Sequence, residues 1–294
     1  MVTLKPSIKG IIVGAGYGTR FLPASKTIPK ELLPLVDRPS IDLLVDEFRA
    51  AGIEEVVLIS SRRKKALEDY FDREIELEDV LRAAGKTSEL EAIAPPPLKV
   101  TAVRQQAMRG TGHAILQARP FVGDSAVVVA YPDDLFLGDS FSKTLIEAYE
   151  ATGHSVLGVV LAGPEIARLS SIAYEGEQPP FRVTRIVEKP APGTEPSNLA
   201  SIGRYLFTPE LFELLEEGWQ RHLAEGQKGE YYHIWAINAL AERGRLVATF
   251  PKGKRLDVGV PETYIEAFVE YALHDPRWRQ KMMDVVSDIY QREL

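Results

Sequence analysis

A glycine-rich segment followed by basic side chains is the first feature of this sequence that could do chemistry. Residues 14–20 read GAGYGTR, and Arg20 is followed by Lys26 and Lys30. Glycines let the backbone approach a polyphosphate so that N–H groups can cradle its oxygens, while the three cations offset its charge. Prolines within residues 23–34 favour an extended loop here rather than a helix. The segment therefore predicts a triphosphate site.

Two familiar nucleotide-binding patterns do not fit this loop. A dinucleotide fingerprint needs a small residue at position 19 with a helix directly after it, and a P-loop needs a Gly-Lys-Ser/Thr sequence. A nicotinamide-dependent dehydrogenase would also need an acid at the end of the second strand, where residues 60–63 read SSRR. A dehydrogenase is therefore not favoured.

Two adjacent aspartates follow an apolar strand later in the chain. Asp133 and Asp134 come shortly after residues 126–131, which read AVVVAY. Their carboxylates are expected at the carboxyl end of this strand, where open α/β sheets bind ligands. A strand-end aspartate that caps the following helix is the alternative interpretation, and it fits Asp134 better than Asp133.

The elements that must position these groups alternate between strands and helices. In the first half, the pattern predicts strands at 8–16, 56–60, 98–105 and 126–131, and helices at 40–52, 62–73 and after residue 112. The charged residues 74–97 between them are interpreted as a peripheral helical insertion. This alternation predicts an α/β fold, a Rossmann-like and mostly parallel sheet with helices on both faces.

The second half is richer in strands and ends in helices. Strands are predicted at 155–163, 181–190, 201–207 and 246–250, and helices at 209–223, 230–243 and from 261 to the end. We expect one domain over residues 1–294. Its first half would end near 150, a smaller β region would follow up to about 260, and a helical tail would close the chain.

Composition limits the classes of protein and partner. The 35 basic and 42 acidic residues give a net charge of −7, which argues against nucleic-acid binding through a general basic field. No apolar run approaches the roughly 18 residues of a membrane span, and residues 1–10 lack the apolar stretch of a signal peptide. Cysteine is absent, which excludes disulfides and thiol catalysis. We expect a cytoplasmic protein without a nucleic-acid or membrane partner.

A long contiguous match then indicates a family. Residues 14–39, GAGYGTRFLPASKTIPKELLPLVDRP, resemble the signature of bacterial glucose-1-phosphate uridylyltransferases, in which G-x-G-T-R precedes L-P and P-K-E-[LM]-L-P. Further segments similar to motifs of that family lie at 104–114, 131–134, 187–190, 203–205 and 257–259. The resemblance extends from about residue 9 to about residue 267. It implies a nucleotidyltransferase fold with a nucleotide-binding half and a sugar-phosphate half.

The resemblance implies nucleotide contacts at seven positions, which are Ala15, Gly16, Gly18, Thr19, Lys26, Gln105 and Gly110. Among these, Gln105 and the backbone of Gly110, with Ala15 and Gly16, would read uracil, since an amide offers both a donor and an acceptor. His113 in the same segment is interpreted as a residue that caps a helix start rather than as a catalyst, because phosphoryl transfer needs no imidazole.

The resemblance also implies the charged groups that would bring two phosphates together. Arg20, Lys30 and Lys189 are the expected catalytic cations. Glu188, Lys189 and Gly203 would bind the sugar phosphate. The cofactor is expected to be Mg²⁺, held by Asp133 and Asp257, because Mg²⁺ prefers oxygen ligands and retains waters and phosphate contacts.

Two departures from the family pattern fall on the sugar side. Residues 170–172 read SSI where the family commonly has a glycine before a hydrophobic residue. Residues 229–236 read GEYYHIWA in place of G-E-[IL]-Q-L-T-D-A, so that Trp235 replaces an acid. These changes weaken the assignment of glucose more than that of nucleotidyl transfer. Core or interface packing is an equally simple explanation of the aromatic residues.

The function implied by the resemblance is Mg²⁺-dependent transfer of UMP from UTP to glucose 1-phosphate, giving UDP-glucose and pyrophosphate. The alternatives are the same chemistry with dTTP or another sugar 1-phosphate, or a nucleotide-sugar sensor without activity. The tail repeats apolar residues at helical spacing, at Trp278, Met282, Val285, Val286 and Ile289. They would pack on the body or on a second subunit, and a homo-oligomer is expected on family grounds.

Overall fold

The computed structural model describes residues 7–226 and 228–293. Its strands are β1 Lys9–Val13, β2 Pro34–Leu35, β3 Arg38–Pro39, β4 Glu55–Ser60, β5 Lys99–Arg104, β6 Val127–Ala130, β7 Asp134–Leu137, β8 Ser155–Leu161, β9 Ser170–Glu175, β10 Phe181–Glu188, β11 Leu199–Phe207, β12 Leu246–Thr249 and β13 Lys254–Asp257. Its α-helices are α1 Ser40–Ala50, α2 Lys65–Asp69, α3 Ile75–Ala83, α4 Thr87–Ala92, α5 Thr111–Leu116, α6 Arg119–Val122, α7 Phe141–Thr152, α8 Glu210–Ala224, α9 Ile234–Glu242, α10 Pro261–His274 and α11 Pro276–Glu293.

A nine-stranded mixed sheet forms the centre of the fold, in the order β5-β4-β1-β6-β11-β8-β12-β10-β9. The predicted parallel pairing is found between β5, β4, β1 and β6 and between β8 and β12. Strands β9, β10 and β11 instead pair antiparallel with their neighbours. The connection between β9 and β10 is too short to join parallel strands, which explains why these two strands are antiparallel. The smaller β region expected after residue 150 thus extends the same sheet.

Helices cover both faces of this sheet, as the alternating pattern predicted. Successive residues of β1 show why, because Ile11 and Ile12 are both fully buried but belong to cores on opposite faces. Side chains of α5, α8 and α9 fill the first core, and those of α1, α7 and α10 fill the second. A strand buried on both faces must be apolar along its whole length, which accounts for the continuous runs in β1, β4 and β6.

The order of the strands determines where a ligand site can form. β1 lies between β4 and β6, so the chain leaves β1 towards one side of the sheet and returns later on the other side. The loops after β1 and β6 therefore emerge at the same edge, at a crevice typical of ligand binding in open α/β sheets. The glycine-rich segment follows β1, and Asp133 follows β6.

Several helices differ from the predicted bounds. The expected helix 62–73 is a 3₁₀ turn, Arg62–Lys64, followed by the short α2. The helix expected from 230 begins only at Ile234, because residues 229–232 lie against another loop. The tail consists of two helices, α10 and α11, with a break where Pro276 follows Asp275. Within the described residues, no helix is both long and apolar enough to cross a membrane.

Candidate functional site

The glycine-rich segment forms an open loop after β1. Gly18 has a φ of 68°, a left-handed conformation that glycine adopts at no steric cost. Three single 3₁₀ turns follow, at Thr19–Phe21, Ala24–Lys26 and Lys30–Leu32, so the prediction that no α-helix starts here is confirmed. Ser25 Oγ donates a hydrogen bond of 2.7 Å to Gly18 O and closes the first part of the loop.

Lys30 and Asp133 form the central ion pair of this crevice. Lys30 Nζ lies 2.6 Å from Asp133 Oδ2, and both side chains are partly buried. Burial lowers the pKa of Lys30, but the Asp133 carboxylate raises it more, and the net shift is upward. For Asp133, burial raises the pKa, while Lys30 and the charge of Arg20 lower it below its ordinary value. Both groups are therefore ionised near neutral pH.

The two predicted metal ligands lie close to Gly259. A Cβ atom on Gly259 would stand 3.1 Å from Asp257 Oδ1 and 3.4 Å from Asp133 Oδ2, so the carboxylates face the same small volume. Val258 N also donates to Asp133 O at 2.9 Å, which ties the two segments together. Among the described residues, no three acidic or histidine side chains converge to enclose a metal ion by themselves. Two carboxylates leave room for the waters and phosphate oxygens that Mg²⁺ retains.

Asp134 has a structural role that differs from the expected helix cap. It opens β7, and its Oδ2 accepts a hydrogen bond of 2.8 Å from Gly203 N. Its Oδ1 accepts from Arg255 Nε, and Arg255 Nη2 donates to Asp257 Oδ2 at 3.1 Å. Burial raises the pKa of Asp134, although the Arg255 charge opposes this. The interpretation as a cap was wrong because the chain enters a strand, and Asp134 instead holds Arg255 against Asp257.

A large cleft opens beside these acids. It has a volume of about 1120 Å³, and Arg20, Arg255 and Asp257 line it together with Arg168 and Lys254. The predicted phosphate-binding cation Arg20 thus faces the same space as a predicted metal ligand. Arg168 and Lys254 were not predicted from the sequence, since a lone cation carries no pattern that distinguishes it from a surface residue.

The predicted base-reading residues also lie together. Gln105 directly follows β5, is 97% buried, and donates from Nε2 to Gly110 O at 3.1 Å and to His113 Nδ1 at 3.0 Å. Gly110, with a φ of 93°, takes the cap position of α5, and no side chain caps that helix start. The cap role expected for His113 was therefore wrong, and its ring contacts the Gln105 amide instead.

Residues 229–236 lie against the loop that contains Gly110. Tyr231 N donates to Arg109 O at 2.7 Å, and Gly112 N donates to Tyr231 O at 3.0 Å. A Cβ on Gly110 would lie 2.5 Å from Tyr231 O, so this approach requires glycine. Trp235 packs against Gly218 of α8. Tyr231 and Trp235 therefore serve packing, and Trp235 contacts α8 rather than the group around Glu188. Tyr232 is 47% exposed, and its hydroxyl donates to Glu230.

Glu188 and Lys189 end β10 at the opposite side of the crevice. Lys189 has a φ of 44°, which is strained for a residue other than glycine, and its N–H donates to Leu169 O at 2.9 Å. Ser170 Oγ donates to Glu188 Oε2, so the residue before the departure at Ser171 touches the expected sugar-binding acid. Ser171 is buried and donates to Ser197 O at 2.8 Å. The strained φ of Lys189 is of a kind often found where a side chain must face a ligand.

Gly203, which was also expected to bind the sugar phosphate, is partly exposed in β11 and lies close to the segment after β6. A Cβ at this position would come within 2.5 Å of Asp134 Oδ2 and 3.0 Å of Tyr131 Cβ. Its glycine is thus explained by close packing between β11 and the segment after β6.

Comparison with known proteins decides the family. A sequence profile of the Nucleotidyl transferase family matches residues 9–273. The chain belongs to the nucleotidyl transferase family. The match, together with its curated relatives, shows that it is a nucleotidyltransferase enzyme and confirms the resemblance drawn from residues 14–39.

Relatives of this nucleotidyl transferase cover nearly its whole length. UTP–glucose-1-phosphate uridylyltransferase 2 of Staphylococcus saprophyticus is 39% identical over 290 residues, which are 96% of this chain and 97% of that protein. A UTP-bound UGPase from Acinetobacter baumannii has a TM-score of 0.84 at 32% identity, covering 95% of this chain and 98% of that one. A UDP-glucose pyrophosphorylase complexed with UDP-glucose has a TM-score of 0.77 at 36% identity, covering 90% and 98%. The α/β fold is thereby confirmed.

Apart from Gly203, the positions predicted for this nucleotidyl transferase fall into four groups. Gly16, Gly18, Thr19, Arg20, Lys26 and Lys30 lie in the loop after β1, and Ala15 is buried there in one core with Ala114 of α5. Gln105 and Gly110 lie beside α5, and Asp133 and Asp257 lie near Lys30. Glu188 and Lys189 lie at the end of β10. The assigned roles of these residues remain predictions.

Proposed function

We propose that this nucleotidyltransferase catalyses Mg²⁺-dependent transfer of UMP from UTP to glucose 1-phosphate, with release of pyrophosphate. The observation that carries the proposal is the shared crevice in which the Lys30–Asp133 pair, Asp257 and Arg20 meet. Relatives named for uridylyl transfer to glucose 1-phosphate, which match almost the full chain, support the choice of substrates.

The reaction brings two anions together, and the attacking oxygen must lie opposite the leaving pyrophosphate. An oxygen of the sugar phosphate attacks the α-phosphorus of UTP, the new P–O bond forms, and the bond to the bridging oxygen breaks as pyrophosphate leaves. The attacking oxygen is already ionised, so positioning and charge neutralisation are the main sources of catalysis. Arg20 and Lys30 would hold the triphosphate from the loop after β1. Lys189, which is 65% exposed at the end of β10, would hold the attacking phosphate.

The donor set fits a magnesium ion. Asp133 and Asp257 supply carboxylate oxygens that face one volume beside Gly259, as described above. The bound ion would neutralise phosphate charge and orient the triphosphate. Lys30 Nζ contacts Asp133 Oδ2, so its ammonium group would compete with the ion for this oxygen.

The identity of the sugar depends on the end of β10. Ser170, the neighbour of the departure at Ser171, contacts Glu188, and this favours a test of sugars other than glucose as the second candidate. Trp235 no longer argues against glucose, because it packs on α8. dTTP as the nucleotide is the remaining alternative.

Pyrophosphate release by the purified protein tests the proposal. UTP, dTTP, CTP, ATP and GTP would each be paired with glucose, galactose and mannose 1-phosphates, with and without Mg²⁺. Release with UTP and glucose 1-phosphate that depends on Mg²⁺ would support the proposal. Release only with another sugar would point to the side chains around Glu188, and no release with any pair would contradict the proposal.

A cytoplasmic homo-oligomer is part of the same proposal. Support for an oligomer comes from α11, where Met283, Val286, Ile289 and Tyr290 leave large apolar surface exposed. Support for the cytoplasm is the absence of cysteine. Light scattering after size exclusion, compared between the wild type and Val286→Glu, measures the oligomeric state.

A further inference from the structure

We propose that His113 fixes the orientation of the Gln105 amide, and that this orientation makes the site accept uracil and reject cytosine. The inference rests on the proposed function, because it takes UTP as the substrate and places Gln105 at the base. It adds a positioning residue for base specificity to that function.

The geometry assigns each atom of the amide. Gln105 Nε2 has two N–H groups, and they are directed at Gly110 O, at 3.1 Å, and at His113 Nδ1, at 3.0 Å. For Nδ1 to accept, the imidazole must carry its proton on Nε2. No group among residues 7–226 and 228–293 donates to Gln105 Oε1. The amide therefore offers a ligand its acceptor and keeps both donors engaged with the protein.

The surroundings of His113 favour a ring that can accept. Its ring centroid lies 5.1 Å from that of Trp219, and the Arg109 guanidinium stands 5.5 Å from the Trp219 ring on this same side of the molecule. Burial and the Arg109 charge lower the pKa of His113. A protonated ring would direct an N–H at the amide N–H of Gln105, so the neutral ring and the observed amide orientation require each other.

The orientation of the Gln105 amide matters because uracil and cytosine differ at N3. Uracil carries a hydrogen on N3 and can donate it to Gln105 Oε1. Cytosine has a lone pair on N3, which would face the lone pairs of Oε1 without a hydrogen bond. A rotated amide would present Nε2 and would reverse this preference. An unpaired polar group in a buried site costs more than a hydrogen bond gains, so fixing the rotation provides specificity.

Two substitutions at one position separate the acceptor from the ring. His113→Phe keeps an aromatic ring beside Trp219 but has no acceptor for the amide. His113→Asn loses the ring but can place Oδ1 near the position of Nδ1 and accept from Gln105. For each protein, kcat and KM would be measured with UTP and CTP at saturating sugar phosphate, with thermal unfolding as a check on folding.

We expect His113→Phe to lower the ratio of kcat/KM for UTP over CTP by about tenfold, through KM, since one hydrogen bond is lost and the Gly110 contact remains. His113→Asn should restore most of the ratio. An unchanged ratio in a folded His113→Phe protein would overturn the inference, as would equal loss in both variants. Absence of activity with UTP in the wild type would instead overturn the proposed function.

A measurement on the unsubstituted protein keeps the inference testable if His113→Phe does not fold. The ¹⁵N spectrum of the histidine rings, with His113 assigned by comparison with His113→Asn, reports which nitrogen carries the proton. A proton on Nε2 and a bare Nδ1 are expected at pH 7.5. A proton on Nδ1 would contradict the inference. 3-Methyl-UTP, which lacks the N3 hydrogen, should be a poor substrate, and equal use of it and UTP would also contradict it.

Discussion

Lys30 Nζ and Asp133 Oδ2, which belong to residues 103 positions apart in the sequence, meet at 2.6 Å at the edge where β1 and β6 end. The lysine thereby places a positive charge on the carboxylate that is proposed to bind Mg²⁺. In the proposed complex, Asp133 would hold the cation and Lys30 would bind phosphate oxygens, so both groups would have partners of opposite charge. The pair thus stabilises both charges in the absence of substrate.

Lys30→Met should therefore separate metal binding from turnover. Without nucleotide, we expect Mn²⁺ to bind the variant several-fold more tightly than the wild type, because the competing ammonium group is gone. Turnover should fall on the order of 10²–10³-fold, by analogy with other single charge-stabilising donors. Electron paramagnetic resonance of free Mn²⁺ and steady-state kinetics measure the two effects. Lys143→Met, at an exposed position on α7, is the control, and equal or weaker Mn²⁺ binding by Lys30→Met would argue against the competition.

Gly203→Ala should mainly lower stability, whereas Gly16→Ala should mainly weaken nucleotide binding. A Cβ on Gly203 would meet Asp134 Oδ2 at 2.5 Å, and relief of that clash should cost about 1–3 kcal/mol of unfolding free energy. A Cβ on Gly16 would have no neighbour within 4 Å, so the unfolding free energy of the Gly16→Ala protein should change by less than about 0.5 kcal/mol. Because Gly16 is expected to approach the nucleotide, its KM for UTP should rise. Urea denaturation and kinetics measure both, and a stable Gly203→Ala protein would contradict the packing explanation.

The buried Arg204–Glu47 pair should be a strong determinant of stability. Arg204 is fully buried, and its Nε and Nη2 each donate to Glu47 at 3.0 Å, while Nη2 also donates to Asp134 O at 2.7 Å. Arg204→Met leaves Glu47 unpaired in the core and should cost about 3–5 kcal/mol. Arg204→Met combined with Glu47→Met should cost less than the sum of the single changes.

The wild type, the two single variants and the double variant form a double-mutant cycle. A surface ion pair provides the control for it. Arg182 and Glu175 are 57% and 62% exposed, so Arg182→Met should change the unfolding free energy by less than about 1 kcal/mol. Urea denaturation of the four proteins of the cycle gives the coupling. Additive losses at Arg204 and Glu47 would mean that the two groups do not depend on each other.

His233 should make the protein less stable as the pH falls from about 6.5. Its ring is buried, its Nδ1 lies 2.7 Å from Thr111 Oγ1, and burial lowers its pKa to about 4. The unfolded chain binds a proton near pH 6.5 and the folded chain does not, so stability present above that pH is lost as the pH falls towards 4. The loss should be on the order of 3 kcal/mol.

Replacement of His233 should remove this part of the pH dependence. His233→Leu is expected to flatten the unfolding free energy between pH 7 and pH 4.5, measured by urea denaturation at fixed ionic strength. His154→Leu, at a partly exposed position, should leave the slope unchanged. A wild-type slope that persists in His233→Leu would assign the effect to other groups.

The fold and part of the site were predictable from the sequence because their signals are local or contiguous. The apolar runs of β1, β4 and β6 indicated buried strands, and residues 14–39 carried an extended family pattern. The antiparallel position of β11 between β6 and β8 was not predictable, since pairing of distant strands leaves no local signal. For this reason the sheet contains more antiparallel pairs than the alternating pattern of the first half predicted.

Contacts between residues distant in sequence explain why the structure differs from the prediction at Asp134 and Trp235. Asp134 looked like a helix cap, but its partners Gly203 and Arg255 are far away in sequence. Trp235 looked like a change in the sugar pocket, but only the packing of α8 against α9 shows where it lies. The Lys30–Asp133 pair follows from the switch in strand order, which brings both loops to one edge.

The proposal that UMP is transferred to a sugar phosphate is tested most directly by following the phosphorus atoms of the reaction. ³¹P NMR of purified protein with UTP, glucose 1-phosphate and Mg²⁺ should show UDP-glucose and pyrophosphate rising in equal amounts while both substrates fall. Asp133→Asn should slow both products together, on the order of 10²–10³-fold. Unchanged UTP and glucose 1-phosphate after long incubation of active, folded wild type, or equal rates in Asp133→Asn, would contradict the account.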